Sequence, residues 1–165
     1  MSADISRVVY EESVRAMNQQ AGVLDNLRAR AATLIAAASL VTGFLGGQAL
    51  AKPSFSSGVV VYPPLDMWAW VAISTFLVAA ACAVWVLLPH RHWVFVLGAG
   101  GMLKNAKDEC GLDLDRFYRV HAAYNEENYD NNARKLRWLW AWFGVGCAAL
   151  AVEAIAWLVY LRGGT

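Results

Sequence analysis

Charge is scarce in this sequence. Lys, Arg, Asp and Glu make up 16% of its 165 residues, against roughly 25% in soluble domains. Basic and acidic residues nearly cancel, 14 against 13, so no overall basic field argues for nucleic acid, and none is expected as a partner. Cysteine is sparse too. Cys82 and Cys147 fall in apolar stretches and Cys110 in a charged loop, with no close-spaced pair to suggest a disulfide framework or a metal site. Proline is confined to positions 53, 63, 64 and 89, which leaves long stretches free to be helical. No Ser–His–Asp, Cys–His or paired-carboxylate arrangement occurs at usable spacing, so no enzyme is expected. The opening MSADISRVVYEESVR carries charges throughout and no early apolar core, unlike a signal peptide.

What is abundant is apolar surface. Hydrophobic residues are 58% of the chain, tryptophan occurs eight times, and the mean hydropathy is +0.37. Residues 31–50, AATLIAAASLVTGFLGGQAL, hold no charge, and about 20 such residues cross a hydrocarbon core. Within them Ser39, Gly43 and Gly47 recur every four positions, a face of small residues that lets another helix come close. Residues 67–88 and 138–161 are two further apolar stretches of spanning length, the first stopped by Pro89.

The remaining segments frame these spans. In residues 5–30, Tyr10, Val14, Met17, Ala21 and Leu24 form one helical stripe. The spacing predicts a helix running unbroken from about residue 5 to 50. Residues 52–66 read as a loop with a short extended piece at ValValValTyr. Residues 114–161 read as one long helix, with a seam through Leu114, Phe117, His121, Tyr124, Asn128, Asn131, Lys135 and Trp138. The fold expected is an all-α membrane protein: three transmembrane helices, with two long helices extended into the cytoplasm. It forms a single domain, divided as cytoplasmic helix 5–30, spans 31–50, 67–88 and 138–161, and cytoplasmic loop and helix 89–137.

Orientation follows from the basic residues. Twelve of the fourteen lie in the N-terminal region or in 89–137, which places both in the cytoplasm and the C-terminus outside. Trp68, Trp70, Trp157 and Tyr160 then belong to the outer aromatic belt, and Trp85, Trp93, Trp138, Trp140 and Trp142 to the inner one. Parallel packing of the two cytoplasmic helices follows from this topology.

Few residues suggest chemistry. Glu153 is the one acid well inside a span, a position that calls for a bundle interior or a water path. It is a pore or gate candidate, or else a hydrogen-bonded helix contact; its possible partners are Ser39, Thr42, Ser74, Thr75, a second copy or water. Tyr124, Asn128, Asn131, Arg134 and Lys135 either fix register on the helical seam or hold a nucleotide, with tyrosine stacking a base and the cations binding phosphate. His90 and His92 flank Arg91 and read as interface residues. The GlyAlaGlyGly at 98–101 reads as a flexible elbow, since no strand-turn-helix unit surrounds it. Asp113 or Asp115 suits a helix N-terminus. No cofactor or metal is expected.

Two passages carry a resemblance: LDNLRARAATLIAAASLVTGFLG (24–46), and YNEENYDNNARKLRWLW (124–140) followed by Glu153. Together they resemble the SLATT family, small prokaryotic membrane effectors of nucleotide-signalling antiphage systems. The resemblance spans roughly residues 10–161, and similar actinobacterial proteins are labelled integral membrane plasmid-transfer proteins. It implies a homo-oligomeric inner-membrane effector that permeabilises the lipid bilayer, causing growth arrest or death. It further implies activation by a cyclic nucleotide or nucleotide-derived signal, sensed directly or through a sensor protein. The alternative is a non-catalytic membrane scaffold or plasmid-transfer component.

Overall fold

A computed structural model describes residues 3–50, 54–56, 59–61, 65–89, 93–95 and 113–163, with Gly101, Lys104 and Lys107 singly. His90, His92, Cys110 and most of the glycine-rich elbow lie outside the described residues. The fold is all-α apart from one short hairpin. Helix α1 covers Ala3–Val41, a π-turn follows at Thr42–Gly46, and α2 covers Gly47–Leu50. Strands β1 (Ser54–Ser56) and β2 (Val59–Val61) pair antiparallel with Phe55 opposite Val60, which makes the expected extended piece one half of a hairpin. Helix α3 covers Met67–Leu87, and helix α4 covers Leu114–Gly163. Three of these helices are long and apolar enough to cross a membrane.

Local chemistry sets the ends. The Asp66 side chain caps α3, accepting from the backbone N–H of Trp68 at 2.9 Å and of Ala69 at 3.0 Å. Leu88 turns extended, with ψ of 137°, as the residue before Pro89 must. Asp113 caps α4 by accepting from the N–H of Asp115 at 3.0 Å. The long apolar run of α1 is where expectation and structure part: the helix is not regular to residue 50 but widens at Thr42–Gly46. A π-turn inserts one extra residue and shifts everything after it around the axis.

The chain divides into two compact units, and α1 and α4 contribute to both. The first comprises Met1–Asn26 and Pro89–Trp138. Here the stripe on α1 is buried as its spacing requires, with Met17 and Leu24 at 1% and 2% exposure. It packs in parallel register on α4: Tyr10 meets the rings of Phe117, Tyr118 and His121. Ser13 accepts from Asn125 at 2.9 Å, and Gln20 donates to the Tyr129 carbonyl at 3.0 Å.

The seam on α4 differs from the expected one. His121 is buried, but Leu114, Tyr124, Asn131 and Trp138 are exposed; Ala122, Asn125, Asn132 and Leu136 take the interior. The stripe lies about one position further along. The run of asparagines at 125, 128, 131 and 132 offers no apolar contrast by which a 3–4 pattern could be anchored.

The second unit comprises Leu27–Leu88 and Leu139–Thr165. Its interior is made of small residues. Ala38, Ala79 and Ala149 form one cluster; Ala69, Ala72, Ala156 and Trp157 form another. Small side chains let helices approach closely. Trp157 corrects its expected belt position: it is 2% exposed and belongs to the core. Trp70, Trp85, Trp138, Trp140 and Trp142 are exposed.

Candidate functional site

The site with most chemical content lies in the second unit, around Glu153. No charged residue other than Glu153 occurs in 31–50, 67–88 or 138–161, and Glu153 is fully buried. Of the four candidate hydroxyl partners, one is used: Thr42 donates to Glu153 Oε1. Ser39 is exposed, while Ser74 and Thr75 donate to carbonyls of their own helix turn. Glu153 Oε2 has no partner among the described residues.

Thr42 is also the first residue of the π-turn. Its hydroxyl, which in a regular helix would satisfy itself on the preceding turn, is committed instead to the acid on α4. One turn beyond Glu153, Trp157 lies against the other end of the same π-turn. A Cβ at Gly46 would sit 3.1 Å from Trp157 Cζ2 and 3.3 Å from Cη2, so only glycine accommodates the ring without a shift. The indole Nε1 is buried without a partner among the described residues. Two buried polar atoms, one acceptor and one donor, thus share one helix face a turn apart.

The close approaches fall on other glycines than the expected face. Gly43 and Gly47 are exposed, with open space where a Cβ would stand, and Ser39 is exposed beside them. Among the described residues nothing lies within 4 Å of a Cβ at Gly43 or Gly47. Inside the unit the tight contacts are Gly46 on Trp157, and Gly146, whose Cβ would lie 2.9 Å from Leu34 Cδ2 and 3.2 Å from Cys82 Cβ. Neither glycine stands out in the sequence. Gly146 follows Gly144 in a run where both look alike, and only the packing of Leu34 distinguishes them.

In the first unit the predicted polar cluster is spread over the outside of α4. Tyr124, Asn131 and Arg134 are exposed. Asn128 is half-buried and donates to the Tyr124 carbonyl at 2.8 Å, a contact within its own helix. Lys135 Nζ sits 5.6 Å from the centroid of the Trp93 ring, which in turn stacks on Phe95. The amides that hold the unit together are its neighbours. Asn125 bonds Ser13, and Asn132, 1% exposed, donates to the Val94 carbonyl at 2.9 Å. His121 is buried; its Nδ1 donates to the Phe117 carbonyl at 3.0 Å. A groove of about 710 Å³ lies between α1 and α4, walled by Val8, Val9, Ala122 and Ala123, with Glu12 and Glu126 also lining it. Among the described residues no three His, Cys, Asp or Glu gather as a metal-binding group.

The chain matches no protein-family model, no curated protein and no solved structure.

Proposed function

We propose that this chain is a non-catalytic effector of the inner membrane that assembles with copies of itself and permeabilises the bilayer. In this reading the N-terminus and residues 89–137 face the cytoplasm and the C-terminus lies outside, which the distribution of Lys and Arg supports. The resemblance of residues 24–46 and 124–140 to the SLATT family supports the defence role and a nucleotide-derived signal. Tyr124, Asn131 and Arg134 are the exposed groups available to such a ligand.

The observation that carries the permeabilising reading is the enclosure of Glu153. The acid is fully buried by its own chain and bonded to Thr42. A single copy therefore holds no conducting path through this acid. A path requires copies that assemble and a bundle that loosens, so Glu153 serves as a gate element in the closed state. The outward Ser39, Gly43 and Gly47 face supplies a surface on which a second copy packs closely.

The test is a leakage assay in liposomes of inner-membrane lipid composition, together with growth and membrane potential after induced expression. Dye release and depolarisation that rise steeply with protein density support assembly into a pore. A purified, correctly inserted protein that leaves vesicles sealed and cells polarised at every density refutes it.

A further inference from the structure

We infer that a groove between α1 and α4 in the second unit binds one anionic phospholipid, its phosphate on Arg30 and an acyl chain along Leu34, Ala37, Phe143 and Leu150. Arg30 is the last charged residue before the charge-free run 31–50. It stands where the apolar part of α1 begins, the depth at which a phosphate meets hydrocarbon. The groove, about 320 Å³, extends from this side chain along the apolar run. Arg30, Thr33, Leu34 and Ala37 line it from α1, and Phe143 and Leu150 from α4. Leu34 is buried and forms its floor; Ala37, Phe143 and Leu150 are half-buried. From Arg30 to Ala37 the helix rises about 10 Å, roughly two-thirds of one leaflet of hydrocarbon.

The polar end suits an anion. Arg30 Cζ lies 5.7 Å from the centroid of the Trp140 ring, which gives the guanidinium a fixed place at the mouth of the groove. Its planar fork of N–H donors matches the oxygens of a phosphate. Thr33 donates to the Ala29 carbonyl at 3.1 Å, so recognition falls to Arg30. Among the described residues no acidic side chain lines the groove. Nothing there receives the ammonium of a zwitterionic headgroup, so a headgroup of net negative charge is favoured.

The apolar end selects a lipid over a soluble phosphate. Past Arg30 and Thr33 the described lining is wholly apolar. A free phosphate or a sugar phosphate leaves that surface uncovered, whereas an acyl chain covers it. A second groove of the same unit, about 400 Å³, is walled by Val78, Cys82, Trp85 and Trp142, with no charged residue among its described lining. That one accepts a lipid tail of any kind. Of the two, the groove at Arg30 joins a cation to an apolar track. The site rests on reading these helices as membrane spans, and not on permeabilisation.

The probe is phosphatidylglycerol, set against phosphatidylcholine with the same acyl chains. Native mass spectrometry of the full chain in detergent counts the lipids retained per protomer. Wild type should hold one phosphatidylglycerol at concentrations that leave phosphatidylcholine unbound. Arg30→Gln, at an exposed position, should fold and weaken phosphatidylglycerol about tenfold. Inorganic phosphate and the chain-free headgroup, glycerophosphoglycerol, should displace no lipid. A diazirine on the acyl chain should crosslink wild type within residues 143–150. Equal retention of the two lipids, an unchanged preference in Arg30→Gln, displacement by the chain-free headgroup, or crosslinks only elsewhere each overturns the site. The competition and crosslinking arms use wild type, so they decide the matter even if Arg30→Gln misfolds. A chain that stays soluble without detergent overturns the membrane reading together with the site; the other failures overturn the site alone.

Discussion

Thr42 and Glu153 stand 111 positions apart and meet through one hydrogen bond inside the second unit. It joins the side chains of two different helices directly. The clusters around it are contacts among alanines and aromatic rings, which tolerate sliding. A single directional bond in such an interior specifies which turn of α1 faces which turn of α4. A polar group at a packed seam can fix register in this way at some cost in stability.

Thr42→Val keeps the shape of the threonine and removes its hydroxyl. It leaves a buried carboxyl with no donor, a loss of about 1–3 kcal/mol. Thermal unfolding in detergent should show Thr42→Val clearly below wild type, and Thr42→Ser close to it. Combining Thr42→Val with Glu153→Leu should recover most of the loss, since both ends of the bond are then apolar. Equal melting of wild type and Thr42→Val would mean that the hydrogen bond contributes nothing.

The glycines divide into an inner and an outer set, and substitution should separate them. Gly146→Ala drives a Cβ into Leu34 and Cys82, and overpacking of this kind costs about 1–3 kcal/mol. Gly43 meets open space, so Gly43→Leu should leave the melting temperature of the protomer near wild type while weakening self-association by native mass spectrometry. A Gly43→Leu protein with an unchanged oligomer distribution removes that face from the assembly contact.

The three apolar helices were legible because their signal is compositional: charge-free runs of spanning length need no partner to be recognised. The stop at Pro89 and an aspartate, Asp113 or Asp115, at the start of the last helix were equally local, whereas the Asp66 cap was not singled out. The seam of α4 was harder. Polar and aromatic residues occupy both its faces, so the choice between Asn131 and Asn132 depended on the neighbour each would meet. Asn132 reaches the Val94 carbonyl, a contact 38 positions away. The π-turn was not readable at all. TGFLG carries no marker of a widened helix; the contacts at its two ends, with Glu153 and Trp157, come from another helix. That Glu153 would be enclosed could be read from its depth, whereas its partner stayed open among Ser39, Thr42, Ser74, Thr75, a second copy and water.

Asn132 offers a direct check on the corrected seam. Asn132→Ala removes the donor to Val94 and should cost about 1–3 kcal/mol. It should also speed hydrogen exchange in the 93–95 segment that this side chain fastens. Asn131→Ala, on the exposed side of the same helix, should change stability by less than about 0.5 kcal/mol. The reverse ranking would restore the seam read from the sequence.

Glu153 itself yields the sharpest test of the gate. Glu153→Gln retains the size and an oxygen that can accept from Thr42, so the bundle should stay closed and the protein should melt near wild type. It also removes the only carboxyl side chain of the three apolar stretches. If the acid takes part in the open path, copies around a common axis make an acidic ring of the kind that favours cations. Glu153→Gln should then lose cation selectivity in reversal-potential measurements at matched incorporation. Glu153→Leu goes further: it replaces a buried polar group with an apolar one, so the closed bundle should be as stable as wild type or more so, with leakage reduced. A wild-type reversal potential and equal leakage in both variants would reduce Glu153 to a packing contact.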